Sequence, residues 1–181
     1  HSSFEVSVVA SCKGQSSVLG DWADPNFGGR NFDRALMEHF AKEFNDKYKI
    51  DVLSNPKSTF RLAAGCERLK KVLSANTFAQ LNVESLMNDI DAASQLKREE
   101  FENLIAPYLE RVHEPLDAAL SQSGLTKDEI FSIELVGGSS RVPALKERIS
   151  QWFGRPLSYT LNQDEANVRG CTLACATLSP V

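Results

Sequence analysis

Along FEVSVVASCKGQSSVLGD apolar and polar residues alternate through Phe4, Val6 and Val8, turn at Lys13-Gly14-Gln15 and resume at Val18 and Leu19. That is the pattern of two strands joined as a hairpin. The three residues before it, His1-Ser2-Ser3, offer no turn or strand of their own, so the chain reads as a piece of a longer one. After Phe27-Gly28-Gly29 the period turns helical, with Phe32, Leu36, Phe40 and Phe44 four apart and Arg34, Glu38, Lys42 and Asp46 interleaved. Asn55-Pro56, a cap followed by proline at the first helical position, announces a second helix with the stripe Leu62, Cys66, Leu69 and Leu73. The stretch Phe78 to Asp91 alternates briefly (Phe78, Leu81, Val83) and reads weakly as strands or loop. A long acidic helix is expected from near Leu96 past Leu104, Tyr108, Leu116 and Leu120, kinked or broken at Pro107 and Pro115.

From Leu125 the pattern changes to a strand (Ile130 to Val136), a turn (Gly137-Gly138-Ser139-Ser140), a helix opened by Pro143, a strand (Leu157 to Leu161) and a last helix from Asp164. Strand, helix, strand, helix is the α/β signature. The two ends, 1–27 and 106–181, are therefore expected to build an α/β frame that a helical middle, 28–105, interrupts.

Length and charge narrow the function classes. With 181 residues the chain suits one domain or one domain with a modest insertion, since domains run to about 100–200 residues. A net charge of −4 and a pI near 5.4 argue against bulk nucleic-acid binding, which needs a lysine and arginine excess. No run approaches the ~18 apolar residues of a membrane span, and no basic-then-apolar leader opens the chain. Cys12, Cys66, Cys171 and Cys175 are too dispersed for a disulfide framework, so free buried thiols in a reducing compartment are expected.

Three constellations could carry chemistry. In ELVGGSSRVPAL a strand ends in two glycines and small hydroxyl residues before a helix, so backbone can approach a ligand without Cβ obstruction and helix N–H groups can meet an anion. It has neither the lysine nor the spacing of a P-loop, and a plain tight turn is the competing reading. In CERLKKVLS the residues Glu67, Lys70, Lys71 and Ser74 fall within an arc of roughly 100° opposite the apolar stripe. They could hold a ribose and flank a base, or form a solvated face with an i,i+4 pair between Glu67 and Lys71. In LNQDEANVRG, Asn162 can cap the final helix, with Asp164 and Glu165 in its first turn. Cys171 and Cys175 lack a histidine at zinc-like spacing and read as packing residues; His39 and His113 stand alone on helices.

Taken together, these stretches resemble the actin-fold ATPase domain of the seventy-kilodalton heat-shock chaperones, specifically its second lobe. The resemblance covers essentially the whole chain. HSSFEVSVV resembles the second phosphate loop and its strand, GGRNFD the approach to the small helical subdomain, CERLKKVLS the adenosine-contacting helix, VGGSSRVPAL the adenosine motif and LNQDEA the second connecting segment. The motifs occur in the family's order with spacing that needs no gaps. Within the family, HSS in place of Gly-Gly-Thr, the stretch VESLMNDIDAASQLKREEFE, and Gln163 in place of a proline lean toward the large, 110-kilodalton exchange-factor branch.

The resemblance implies an α/β, actin-like fold, second lobe only, with a mixed sheet flanked by helices and an inserted α+β helical subdomain. It implies that ATP or ADP is the ligand, with magnesium in the intact parent. Gly137, Gly138 and Ser139 would approach ribose and phosphates, Arg141 would lie against the adenine, Glu67 and Lys70 would hold the ribose, Ser74 a base nitrogen, and Lys71 would cover the base. Asp164 would line the same cleft, and His1, Ser2 and Ser3 would stand at the phosphate loop, where side chains in place of glycines would slow hydrolysis. The first lobe, with the catalytic lysine and the magnesium-organising aspartate, is not in this sequence, so the chain alone is expected not to be an enzyme and its parent to be at most a weak ATPase. The implied parent is a cytoplasmic co-chaperone that opens the nucleotide cleft of a seventy-kilodalton heat-shock chaperone and helps hold unfolded polypeptide through other regions. The alternative is an ATP-hydrolysing, peptide-binding chaperone; an actin-fold sugar kinase fits the helical insertion motifs poorly.

Overall fold

A computed structural model describes residues 1–178. The last three residues of the expected frame, 179–181, lie outside the described residues. The chain folds as two compact units, one from Ser3–Asp24 with the chain from Val112 onward, the other from Pro25–Arg111.

The first unit opens with the expected hairpin. Strands β1 (Phe4–Cys12) and β2 (Gln15–Asp24) pair antiparallel around a two-residue turn in which Lys13 and Gly14 both have positive φ, 46° and 81°, the geometry that matches strand twist. Val8 pairs with Gly20 and Val9 with Val18, which leaves Leu19 bulged between them. The ribbon packs on helix α4 (His113–Ser123) at Gly20, where a Cβ would stand 2.4 Å from the Ala119 carbonyl oxygen and 2.8 Å from the Ser123 nitrogen. The Asp21 amide donates to the Gln122 side chain at 3.1 Å across the same contact. Helix α5 (Pro143–Phe153) and helix α6 (Ala166–Leu178) complete this unit.

In the second unit, helices α1 (Gly29–Tyr48) and α2 (Pro56–Ala75) carry the core, with Phe32, Leu36, Phe40, Phe44, Leu62, Cys66, Leu69 and Leu73 all buried. The Asn55 side chain accepts from the Lys57 amide at 2.9 Å, the cap expected of Asn55-Pro56. Strands β3 (Phe78–Met87) and β4 (Ile90–Lys97) form a second antiparallel hairpin that turns at Asn88 and Asp89, both at positive φ. The ambiguous segment is therefore a strand pair, and the helix after it, α3 (Arg98–Leu109), starts two residues beyond Leu96, which is a buried strand residue.

Three expectations are corrected. The long acidic helix is two helices, α3 and α4, joined by a 3-10 turn at Glu110–Val112. Pro107 sits in the last turn of α3 and Pro115 in the first turn of α4, where its missing N–H is tolerated. The stretches 130–136 and 157–161 are not strands; they meet in one isolated parallel bridge, Glu134 with Ser158, so the described residues hold two two-stranded antiparallel sheets and no mixed sheet. A strand needs a ladder of backbone partners, and Phe131, 99% exposed, shows how little covers that stretch. Of the four thiols only Cys66 is buried; Cys12, Cys171 and Cys175 are exposed, and α6 buries no residue.

The contact at Gly20 and the openness of α6 give opposite expectations for the same substitution. Gly20→Ala should lower the unfolding free energy by about 1–3 kcal/mol, because the methyl meets backbone that cannot swing aside. Gly170→Ala, with nothing within 4 Å of its Cβ, should raise it by about 0.5–1 kcal/mol. Urea denaturation followed by circular dichroism measures both, and equal effects would mean that the ribbon does not sit on α4.

Candidate functional site

The turn after Leu135 is built by glycine and held by side chains. Gly137 has φ 87°, a left-handed conformation that a Cβ would strain, and its amide donates to the Gln163 carbonyl at 2.7 Å. Residues Gly138–Arg141 form a 3-10 turn, and Val142 leads into Pro143 and α5. Ser140, buried, donates from its hydroxyl to the Gly137 carbonyl at 2.7 Å and accepts from the Gln163 amide group at 3.0 Å. The Asn162 side chain accepts from the Asp164 and Glu165 amides at 2.9 and 3.1 Å and so shapes the turn before α6.

These bonds bring Arg141 and Asp164 together. Arg141 Nη1 donates to Asp164 Oδ1 at 3.0 Å and Nη2 to Oδ2 at 2.6 Å, a two-pronged pair on the surface. The pairing raises the Arg141 pKa further above its ordinary value, so the group is a fixed cation. A carboxylate engages guanidinium edges in plane and leaves the faces for stacking on an aromatic ring. Gly138 adds bare backbone beside it: a Cβ there would meet only Asp164 Oδ1, at 3.7 Å.

Helix α2 carries the other cluster, and its polar face is not uniform. Glu67 and Lys71 form an exposed pair at 2.8 Å, which holds the Glu67 carboxyl below the usual range. The Ser74 hydroxyl is spent on the Lys70 carbonyl at 3.0 Å. Lys70 departs from its expected place on an open face: it is buried, with its ammonium 2.8 Å from Asp33 Oδ2 and 3.2 Å from the Gly29 carbonyl. Burial pushes the Asp33 carboxyl up, against the lowering effect of the Lys70 hydrogen bond. Sequence pattern does not point to Asp33, because 37 positions separate it from Lys70 and only the packing of α1 on α2 brings them together.

At the amino end, His1, Ser2 and Ser3 precede β1 without regular structure, and the Ser3 hydroxyl donates to Glu5 Oε1 at 2.6 Å. No group of three metal-ligating side chains gathers among the described residues, and no described helix is long and apolar enough to cross a membrane.

The whole chain, residues 1–181, matches the family model described as Hsp70 protein. The chain belongs to the Hsp70 family. A heat shock protein homolog of Candida glabrata is 58% identical over 99% of this chain and 26% of its own length. Heat shock protein hsp88 of Neurospora crassa is 55% identical over 100% of the chain and 26% of its own. Heat shock 70 kDa protein 4L of Homo sapiens is 49% identical over 99% of the chain and 22% of its own. The chain thus spans about a quarter of the length of these curated relatives, and they meet the expectation of the large branch within the Hsp70 family.

Within this Hsp70 segment the apolar stripe of α2 fixes the state of Cys66. Burial, helped by the nearby Asp33 carboxylate, pushes its thiol up to about 12, so near neutral pH almost none of it is the reactive thiolate. Iodoacetamide should therefore label Cys12, Cys171 and Cys175 in the folded chain and reach Cys66 only after denaturation, as read by mass spectrometry. Labelling of Cys66 at the rate of Cys12 would mean that α2 opens readily.

Proposed function

We propose that the chain is the second lobe of an actin-like ATPase domain, with a large subdomain (1–27 and 106–181) and an inserted small one (28–105), and that its parent is an ATP-binding co-chaperone. The observation that carries the nucleotide reading is the in-plane Arg141–Asp164 pair beside the bare backbone of Gly137 and Gly138. A guanidinium fixed at its edges offers a flat cation to adenine. Glu67, with its carboxyl held ionised beside Lys71, is suited to accept from a ribose hydroxyl. Each cluster by itself suits a part of the nucleoside of ATP or ADP, the first the base and the second the ribose. Magnesium and the triphosphate are assigned to the intact parent, in which phosphoryl transfer needs charge and positioning from both sides.

The parent's role in this reading is nucleotide exchange on a seventy-kilodalton heat-shock chaperone in the cytoplasm, together with holding unfolded polypeptide. It works by binding the partner's open state more tightly than its closed state. Gln163 favours this branch over an ATP-hydrolysing, peptide-binding chaperone: its side chain donates to Ser140 where proline would offer no donor. An exchange assay separates the two, because an exchange factor at stoichiometric amounts speeds ADP release from the partner.

Two outcomes test the reading. The isolated chain should bind adenosine nucleotides on the order of millimolar and should not turn over ATP. Arg141→Ala should remove most of that binding in a calorimetric or chemical-shift titration. Steady hydrolysis sensitive to Arg141→Ala would overturn the assignment of catalysis to the rest of the parent, and binding indifferent to Arg141 would misplace the site. For the partner, the end of α2 at Ala75, Asn76 and Thr77 is exposed, the kind of position that carries recognition. In the full parent, a bulky residue at Ala75 with Asn76→Ala should lower exchange while ATP binding and melting temperature hold. Equal loss of stability would mark a structural turn, since the Asn76 amide also closes the helix on the Val72 carbonyl at 2.8 Å.

A further inference from the structure

Lys70 is an unusual lysine for a nucleotide site, since its side chain is 6% exposed and its partner Asp33 13%. An ammonium has three N–H donors. Two are taken, one by Asp33 Oδ2 at 2.8 Å and one by the Gly29 carbonyl at 3.2 Å, both on α1. One donor remains. Around it the charges cancel in pairs, Asp33 with Lys70 and Glu67 with Lys71. A phosphate accepting the remaining N–H would lie only roughly 4–5 Å from the Asp33 carboxylate that holds another, so repulsion takes back a large part of the attraction. A hydroxyl carries no charge to be repelled and can accept the remaining N–H while donating to Glu67.

We propose that Asp33 is a positioning and specificity-determining residue, which converts Lys70 from a phosphate-binding cation into an aimed donor for a sugar hydroxyl and so sets this face of α2 to take the nucleoside end of a ligand. The proposal rests on the nucleotide reading above. The bland role for the pair is to fasten α1 to α2, and the two roles differ in what a neutral residue at position 33 does to ligand preference. A fastener affects all ligands alike. A charge-cancelling partner affects adenosine and phosphate-bearing ligands in different degrees.

The test is a set of chemical-shift titrations of the chain with adenosine and with ADP, at low and high salt, for the wild type, Asp33→Asn, Lys70→Met, the double variant and Arg141→Ala. Asp33→Asn should weaken adenosine roughly tenfold, the loss expected for one hydrogen bond to a charged group. It should weaken ADP less at low salt, because the uncovered cation now attracts phosphate, and that difference should shrink at high salt. In the Lys70→Met background Asp33→Asn should weaken adenosine no further. If Asp33→Asn leaves adenosine within about twofold of wild type while Arg141→Ala weakens it, the nucleotide reading stands and the role of Asp33 is refuted. That role is equally refuted if adenosine and ADP weaken equally at both salts and the losses of Asp33→Asn and Lys70→Met add. If the wild type does not bind adenosine, or neither Arg141→Ala nor Lys70→Met weakens it, the nucleotide reading fails and the proposal with it. Should Asp33→Asn not fold by its melting curve, Asp33→Glu replaces it: the charge stays but moves by one methylene, and adenosine should weaken while the ADP-to-adenosine preference holds. Unchanged adenosine binding in Asp33→Glu and an altered preference would each overturn the proposal.

Discussion

Backbone that has left the solvent must find hydrogen-bond partners, and around the glycine turn, away from the β1–β2 ribbon, there is almost no ladder to supply them. The stretches on either side of α5 share one bridge, Glu134 with Ser158. Side chains supply the missing partners. Glu134 accepts from the Thr160 amide and hydroxyl at 3.1 and 2.7 Å, and Arg155 donates to the Lys127 and Ile130 carbonyls. Ser140 and Gln163 do the same at the turn. The position of Arg141 thus depends on polar side chains rather than on a sheet, and each of those side chains is a single point at which the turn can be loosened.

The other unit solves the opposite problem. Its three helices and hairpin supply their own backbone bonds, so side chains are free to fill space, and five phenylalanines are fully buried among aliphatic residues. Into that apolar setting the fold places one charged pair, Lys70 with Asp33. A buried ion pair seldom adds net stability over an apolar pair of the same size, so its presence between well-packed helices points to something other than the core. The neighbouring Gly65, where a Cβ would meet Leu81 Cδ1 at 2.8 Å, lets α2 lie close on β3 and fixes the turn of helix that carries Glu67, Lys70 and Lys71.

What could be seen in advance divides along the same physical line. Local pattern sufficed for β1–β2, for α1 with its phenylalanines, for α2 with its Asn55 cap and for the start of α5 at Pro143, because period, capping and turn chemistry are written in adjacent residues. It failed for residues 130–136, whose apolar run has strand character but finds only one backbone bridge. It was weak for β3–β4, where Ser85, Asn88 and Asp89 take positive φ without glycine. For the site, the glycine turn and Arg141 were visible as a motif, while the Arg141–Asp164 and Lys70–Asp33 pairs were not, since each joins residues 23 or 37 apart that meet only through tertiary packing. The thiols follow the same rule: nothing local distinguishes Cys66, buried in the core, from Cys171 on an uncovered helix.

The bulge at Leu19 has a consequence for how the chain tolerates change in length. Side chains along a strand alternate faces with period two, and an unpaired residue resets that alternation once. The ribbon therefore has two halves of independent parity. Toward its base, Gly20 must face α4, so losing one residue between Leu19 and Asp24 would turn that glycine away and press a neighbouring side chain into the Ala119 carbonyl. Toward its tip, nothing lies within 4 Å of where a Gly14 Cβ would stand, so a matched pair of residues can be added to the two strands or taken from them without altering what the base presents. The ribbon is indel-tolerant at one end and frame-locked at the other, and the single extra residue is the partition between them.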